Sequence, residues 1–325
     1  MHHPTPEKQP ATSIPLFHRA ARRPLVRRPI HWLAGCWLVL ALGGLLVTSA
    51  TAQERPRPLD PISKQLKPDR LVTYKSVGER KLQLHLFEPT GHRADDRRSV
   101  FLIIHGGGWT GGYPWRCYPF ADYLRDRGML AITIDYRLLN KSAGTTVFDC
   151  VRDGRSAVRY VRQHAAQLGA DPDRIVLSGC SAGGHVAAGT ALFDGVDDAA
   201  DPPGVSCVPN AMVLYYPVID TSPEGYGQRK IGDTWKQLSP LHQVRANLPP
   251  TMIFHGTGDT VTPYRGAAEF QARMRAAKNI CELVSHPEGI HGYLIFEKPL
   301  FDDAMARTVR FLESQVQLRN HSRQR

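Results

Sequence analysis

The sequence of 325 residues predicts an α/β protein with a doubly wound, mostly parallel sheet of eight strands. Short apolar runs alternate with amphipathic stretches along the chain, which is the pattern of strands joined by helices. The later runs are almost continuously apolar, as expected of parallel strands covered on both faces. In the second run Leu82, Leu84 and Leu86 alternate with polar residues, which is typical of a half-buried edge strand. The predicted strands are residues 71–77, 81–87, 100–104, 129–134, 175–178, 211–216, 251–255 and 280–285.

Between these strands the sequence predicts helices near residues 119–127, 147–167, 182–192, 264–277 and 302–317. One segment, 217–246, interrupts the alternation and is rich in proline, glycine and charged residues. We interpret it as a short cap insertion over the strand ends, too polar to cover much apolar surface. The folded domain is therefore expected to span 71–319, with a short tail at 320–325.

The N-terminal segment, residues 1–52, has the features of a signal peptide. It carries +5 of the chain's formal net charge of +11, and its basic region is followed by an apolar stretch over 32–47. A small-x-small pattern, Ala50-Thr51-Ala52, predicts cleavage before Gln53 and export to the periplasm or the medium. An apolar stretch of this length can also act as an uncleaved membrane anchor. Residues 53–70, rich in proline and charge, are interpreted as a linker.

Five cysteines lie beyond the signal segment: Cys117, Cys150, Cys180, Cys207 and Cys281. In an exported protein they allow one or two disulfides, whose pairing the sequence does not define. No CxxC or Cys/His pair has metal-ligand spacing, so we predict no structural metal. The chemistry predicted below needs no cofactor. The basic residues form no run interleaved with aromatic residues, which argues against a nucleic-acid partner.

The strongest motif is a G-x-S-x-G sequence between an apolar strand and a helix, the context of a nucleophile elbow. Its central Ser181 is the predicted nucleophile, since small neighbours allow the tight turn that such a serine requires. The helix that follows directs its dipole at the reacting centre. The motif reads Gly179-Cys180-Ser181-Ala182-Gly183.

A second glycine-rich loop, His105-Gly106-Gly107-Gly108-Trp109, directly follows the strand at 100–104. Such a loop presents backbone N–H groups without intervening side chains, as an oxyanion hole requires. With the elbow, it resembles the α/β-hydrolase esterases of the hormone-sensitive-lipase-like and acetyl-esterase group. This resemblance implies the α/β-hydrolase fold, with Gly107, Gly108 and Ala182 as the oxyanion donors.

A nucleophilic serine needs a base and an orienting acid, which follow it along the chain in this fold. The segment from His255 to Pro263 is similar to the family's H-G-x-x-D-x-x-V-P motif and identifies Asp259 as the acid. His291, before Gly292 and Tyr293 in the loop ahead of the last helix, is the predicted base. Asp220 is the alternative acid and His286 the alternative base.

Two departures from the pattern bear on the substrate. Cys180 stands where hormone-sensitive-lipase-like members usually carry aspartate, and 53–70 is too short for their N-terminal cap. The chain is therefore expected near the acetylxylan and feruloyl esterases, hydrolysing short-chain or carbohydrate esters. Trp109, Tyr113 and Trp115 are the predicted substrate-binding residues, although aromatic residues at such positions also serve as core. The alternatives are an arylformamidase or peptidase-like hydrolase, and a binding protein without activity.

Overall fold

The computed structural model describes residues 57–316, so the predicted signal peptide at 1–52 and the tail at 320–325 lie outside the described residues. Within this range eight strands form a single sheet, each at or near a predicted apolar run. The strands are β1 Arg70–Val77, β2 Arg80–Phe87, β3 Arg98–Ile104, β4 Leu130–Ile134, β5 Ala170–Cys180, β6 Ala211–Tyr215, β7 Thr251–Gly256 and β8 Cys281–His286.

The strand order across the sheet is β1-β2-β4-β3-β5-β6-β7-β8. The pairs β1–β2 and β2–β4 are antiparallel, and every other pair is parallel. Because parallel strands end at the same edge, the loops after β3, β5, β7 and β8 meet at one side of the sheet. The predicted fold class, a mostly parallel eight-stranded α/β sheet, is confirmed.

Helices cover both faces of the sheet, and each face has its own hydrophobic core. Strand β3 shows how the two cores are separated, because Leu102 belongs to one core and Phe101 and Ile103 to the other. The helices are α1 Leu59–Gln65, α2 Tyr118–Arg125, α3 Val147–Gln163, α4 Ala165–Leu168, α5 Ala182–Leu192, α6 Gln228–Ile231, α7 Tyr264–Ala276, α8 Tyr293–Phe296 and α9 Lys298–Val316.

Helix α5 is the most deeply buried of these elements, since every one of its residues is buried. A helix that is apolar and small on all sides is typical of a position inside the protein rather than at its surface. Its alanines and glycines let it lie close against β5, β3 and α3. The rigid position of α5 holds the turn that precedes it.

The interpretation of 53–70 as a linker is wrong for residues 59–65, which form helix α1. Leu59 is 2% exposed, and α1 packs against α2 and the 3₁₀ helix Pro114–Cys117. Pro58 and Pro61 favoured a loop in the sequence, but proline is accepted in the first turn of a helix, where its missing N–H is not needed.

The segment 217–246 is also less polar in its contacts than predicted. It contains α6 and the 3₁₀ helices Trp235–Leu238 and Pro240–Gln243, and it buries Leu238 and Leu241. The ring Nε2–H of His185, on α5, donates to the Leu238 carbonyl over 2.7 Å. The segment therefore packs against the elbow helix.

Three smaller differences concern helix ends and thiols. The predicted helix at 147–167 is divided at His164 into α3 and α4, and the last helix begins at Lys298. The five cysteines among the described residues are all free and buried, so none forms a disulfide there. No helix in residues 57–316 combines the length and apolarity needed to cross a bilayer.

Candidate active site

Ser181 lies in the sharp turn between β5 and α5. Its backbone has φ 54° and ψ −119°, a strained conformation for a residue with a side chain. The Ser181 N–H donates to the carbonyl of Tyr215 on the neighbouring strand over 2.9 Å, which holds the turn in place. A Cβ on Gly183 would overlap the carbonyl oxygen of Ile104, so the turn requires glycine at this position. This is the geometry predicted for a nucleophile elbow.

Asp259 and His291 meet Ser181 from the loops after β7 and β8. The Oγ of Ser181 lies 2.9 Å from Nε2 of His291, and Nδ1 of His291 lies 2.8 Å from Oδ2 of Asp259. In this arrangement Ser181 donates to Nε2, and Nδ1–H donates to the carboxylate. The structure thus brings together the three side chains predicted from chain order, in the relation of nucleophile, base and orienting acid.

The Asp259 carboxylate is fixed by further donors. Its Oδ1 accepts from the backbone N–H groups of Val261 and Thr262 over 2.9 and 2.8 Å, and its Oδ2 accepts from the Thr262 hydroxyl over 2.9 Å. Burial alone would raise the pKa of Asp259. Hydrogen bonds from His255 and His291 outweigh burial and hold this pKa well below its ordinary value. The acid is therefore a charged, immobile acceptor at neutral pH.

His255 is the first residue of the motif that identified Asp259, but the sequence did not predict a role for it. It is 1% exposed, its Nε2 donates to the Thr262 carbonyl over 2.7 Å, and the same atom lies 3.3 Å from Oδ2 of Asp259. His255 thus braces the turn that carries the acid. Its place four residues before Asp259 was the available signal.

The alternative acid and base are engaged elsewhere. The Asp220 carboxylate accepts from the backbone N–H and the hydroxyl of Ser222, both over 2.9 Å, and so closes a local turn. The His286 ring stacks on Tyr293, with centroids 4.6 Å apart and planes inclined by 4°. Neither residue has a hydrogen bond to Ser181 or His291 among the described residues.

The glycine-rich loop after β3 lies beside the elbow. The N–H groups of Thr110 and Gly111 both donate to the Gly107 carbonyl, over 3.1 and 3.0 Å, which closes the loop on itself. The N–H groups of Gly107, Gly108 and Ala182 have no acceptor among residues 57–316. They are the three donors predicted for the oxyanion hole, and they remain available to a ligand.

His105 stabilises this loop through hydrogen bonds. Its Nδ1 donates to the Gly106 carbonyl over 2.8 Å, while its own carbonyl accepts from the Tyr136 hydroxyl over 3.0 Å. Burial lowers the pKa of His105 to about 4, so the ring is neutral at physiological pH. A neutral ring that is hydrogen-bonded to the loop suits a structural role.

Ser181 and His291 open into a cavity of about 310 Å³. Its walls come from the elbow, the glycine-rich loop, α1, the segment 217–246 and α8. Most of the lining away from Ser181 is apolar, with two arginines and one aspartate among the polar groups. The lining residues are Arg57, Leu59, Asp60, Gly106, Gly107, Gly108, Arg116, Cys117, Phe120, Cys180, Ser181, Tyr216, Tyr226, Val261, His291, Gly292, Ile295 and Phe296.

The predicted substrate-binding aromatics are absent from this lining, and for Trp109 the prediction is wrong. Trp109 is fully buried, with its ring against His185 and Tyr226. Its positive φ of 63° turns the side chain away from the glycine-rich loop and into the core. The rings of Tyr113 and Trp115 stack on each other outside the cavity, with centroids 6.4 Å apart. The rings that do line the cavity, such as Tyr216 and Phe296, come from distant parts of the chain.

Cys180 and Cys117 form part of the cavity wall beside Ser181. A hydrogen bond with the Cys180 thiol, together with burial, raises the pKa of Cys117 well above its ordinary value. The Cys117 thiol is therefore uncharged at neutral pH and a poor nucleophile. Among residues 57–316 no group of three or more ligating side chains is arranged to hold a metal ion.

Comparison with known proteins agrees with this fold. Residues 84–222 match the BD-FAE family model. The chain is similar to esterase 2 of Thermogutta terrifontis. In its structure phosphoramylated by tabun the identity is 38%, the TM-score 0.72, and the match covers 75% of this chain and 94% of that one. For its propionate-bound structure the identity is 37% and the TM-score 0.71, and the match covers 75% of this chain and 93% of that one.

Among curated proteins, the chain is 30% identical to esterase LipQ of Mycobacterium tuberculosis, over 57% of this chain and 48% of LipQ. It is 27% identical to endo-1,4-beta-xylanase B of Butyrivibrio fibrisolvens, over 65% of this chain and 35% of the xylanase. The chain spans about half the length of LipQ and of similar curated relatives. Its similarity to esterase 2, by contrast, extends over nearly all of that protein. This chain belongs to the α/β-hydrolase esterase family.

Proposed function

We propose that this chain is a serine carboxylic-ester hydrolase that acts on short-chain acyl esters through an acyl-enzyme at Ser181. The observation that carries the proposal is the unbroken hydrogen-bonded series from Ser181 through His291 to Asp259, with Ser181 exposed to the cavity. The Cys117 thiol in the same cavity wall does not compete as a nucleophile, because the neighbouring Cys180 thiol and burial keep its pKa high and the thiol neutral.

In the first half of the reaction, the Ser181 Oγ attacks the ester carbonyl while Nε2 of His291 takes its proton. The carbonyl electron pair moves onto oxygen, and the free N–H groups of Gly107, Gly108 and Ala182 stabilise that charge. The imidazolium is stabilised by the ionised Asp259 and then protonates the departing alkoxide. The acyl group is left on Ser181.

In the second half, water takes the place of the alcohol. His291 removes a proton from the water, which attacks the acyl carbonyl, and the same donors hold the second oxyanion. The intermediate collapses as His291 returns the proton to the Ser181 Oγ and the carboxylic acid leaves. Asp259 keeps its charge throughout, because its low pKa prevents it from taking the proton.

Two observations support a short acyl chain. The cavity of about 310 Å³ is at the small end of the range for ligand sites, and acyl group and alcohol must share it. Esterase 2 of Thermogutta terrifontis, of 37% identity, has a structure described as propionate-bound. We expect the highest kcat/KM on acetyl to butyryl esters, and a decline beyond about six carbons, since unburied methylenes contribute no binding.

The alcohol part of the substrate is proposed to be an acetylated or feruloylated carbohydrate. A relative named endo-1,4-beta-xylanase B supports this choice. The arginines in the cavity wall, Arg57 and Arg116, can donate hydrogen bonds to sugar hydroxyls or carbonyls. We further propose that the chain is exported after cleavage before Gln53. Mass spectrometry of the secreted protein would contradict this if the mature N-terminus began near Met1.

The test of the proposed function compares wild type with Ser181→Ala, and with Cys180→Ala as a matched control at the adjacent position. Ser181→Ala should lower kcat by roughly 10⁶-fold and abolish labelling by a fluorophosphonate, because the attacking atom is gone. Cys180→Ala should remain labelled and active. Labelling of the Ser181→Ala protein at the wild-type rate, or hydrolysis of anilides but not esters by the wild type, would refute the proposal.

A further inference from the structure

The segment 217–246 places a lysine and a tyrosine directly against the oxyanion loop. The Nζ of Lys230 donates to the Gly108 carbonyl and to the Tyr226 phenol oxygen, each over 2.9 Å. Gly108 is one of the proposed oxyanion donors, and both Gly108 and Tyr226 line the cavity with Ser181. The proposed oxyanion hole is therefore in contact with the Lys230 ammonium group and the Tyr226 phenol. In sequence these residues lie 122 and 118 positions after Gly108, respectively.

The position of the phenol is closely defined. A Cβ built on Gly108 would lie 2.6 Å from the Tyr226 oxygen and 2.9 Å from the Lys230 nitrogen, so both atoms lie close to the loop at this residue. The Tyr226 ring rests on Trp109, with centroids 5.5 Å apart, and its backbone N–H donates to the Asp220 carbonyl over 2.8 Å. The ring contact and the backbone hydrogen bond together define the position of Tyr226.

The hydroxyl group of Tyr226 is a hydrogen-bond donor without an acceptor among the described residues. The Tyr226 oxygen accepts from Lys230, and among residues 57–316 no acceptor receives its own O–H proton. An ammonium group donating to a phenol oxygen polarises the O–H bond and makes it a better donor. Tyr226 lines the same cavity as Ser181 and Gly108, whose N–H is one of the proposed oxyanion donors.

We propose that Tyr226 is a catalytic residue that donates a further hydrogen bond to the oxyanion, and that Lys230 is its positioning residue. This proposal rests on the proposed esterase function. Lys230 acts through two contacts, because it orients the Tyr226 hydroxyl and holds the Gly108 carbonyl. Its charge also favours negative charge developing on the substrate oxygen.

The experiment measures kcat and KM of Tyr226→Phe and Lys230→Met on a short-chain aryl ester. Arg229→Met is the matched control, since Arg229 is the exposed neighbour on α6 with no hydrogen bond or ion pair among the described residues. Tyr226→Phe keeps the ring contact with Trp109 and should lower kcat by about 10- to 100-fold, the range for a hydrogen bond to a charged group. Lys230→Met should lower kcat by about 3- to 10-fold, with KM little changed.

A second measurement separates a donor to the oxyanion from a merely structural tyrosine. A trifluoromethyl ketone adds the Ser181 Oγ to its carbonyl and forms an oxyanion, whereas butyrate resembles the product. Affinity for the ketone should fall in Tyr226→Phe by the same factor as kcat/KM, while affinity for butyrate stays within about twofold. The two substitutions together should cost less than the product of their separate effects.

The outcomes distinguish this proposal from the proposed function. If wild type hydrolyses esters and Tyr226→Phe matches Arg229→Met in kcat and ketone affinity, Tyr226 is not an oxyanion donor and the proposal is overturned. An effect confined to KM, or an equal loss of ketone and butyrate affinity, overturns it as well. If wild type neither hydrolyses esters nor binds the ketone, both proposals are refuted.

Discussion

The triad loops and the cavity walls are built in different ways. The loops that carry Ser181, Asp259 and His291 each directly follow one strand, and backbone hydrogen bonds hold each of them. The walls come from α1, the segment 217–246 and α8, which are short and reach the cavity only through contacts with distant parts of the chain. The comparison teaches that catalytic chemistry can be encoded in short local motifs, whereas the shape of the pocket depends on tertiary packing.

The largest expected effect tests the triad side of this comparison. Asp259→Asn should lower kcat by about 10⁴-fold, because an amide no longer holds the tautomer in which Nε2 accepts the Ser181 proton. Asp220→Asn is the control, because within residues 57–316 the Asp220 carboxylate accepts side-chain and backbone hydrogen bonds only from Ser222. Steady-state kinetics on one ester would contradict the assignment of the acid if the two variants lost activity equally.

The next effect concerns the glycine-rich loop. Gly107→Ala should lower kcat by about 10²- to 10³-fold, the value of one oxyanion donor, with a smaller effect on KM. Gly107 has φ +123°, and a Cβ there would overlap the Gly111 carbonyl, so the loop must move. Gly111→Ala is a matched control in the same loop, because its Cβ would meet no atom closer than 4.0 Å. Equal activity of the two variants would contradict the proposed donor geometry.

Stability provides a third test, through histidines buried around the site. Burial lowers the pKa of both His105 and His185 to about 4. Between pH 6.5 and 4 the unfolded chain binds protons at these rings that the folded chain does not, so stability is lost as pH falls through this window. At pH 5 the loss relative to pH 7 should be about 2 kcal/mol for each histidine.

Urea unfolding at the two pH values measures this loss. His185→Gln keeps a donor for the Leu238 carbonyl and removes one of the two titrating rings, so the loss between pH 7 and pH 5 should shrink by about 2 kcal/mol. His286→Gln, at a less buried position, is the control. A pH dependence of His185→Gln equal to that of wild type would argue against a buried neutral ring.

The smallest expected effect tests the wall side. Leu59 is the apolar residue of α1 that lines the cavity, so Leu59→Ala should enlarge the acyl space. The ratio of kcat/KM on hexanoyl to that on acetyl esters should rise by about fourfold for each methylene that finds new room, which corresponds to 0.8 kcal/mol. Ile62→Ala, on the exposed side of the same helix, should leave the ratio unchanged. No change in either variant would mean that α1 does not contact the acyl group.

The difference between local motifs and tertiary packing explains which features the sequence could predict. The strands, α5 and the triad were predictable because apolar periodicity, the G-x-S-x-G turn and chain order are local signals. Trp109 was misassigned because its neighbours in sequence line the site, yet a positive φ directs its side chain inward. Helix α1 was missed because seven residues with two flanking or internal prolines give too little periodicity to recognise.

Helix α1 has one more consequence, which concerns how such an enzyme changes over generations. It joins the domain through a single connection to β1 and packs on α2 and the 3₁₀ helix Pro114–Cys117, without a hydrogen bond to any triad residue. Substitutions in α1 can therefore alter which esters fit while the distances between Ser181, His291 and Asp259 stay the same. Selection can act on substrate range and on catalytic power as nearly independent traits, and diversification among such esterases should concentrate in this peripheral helix.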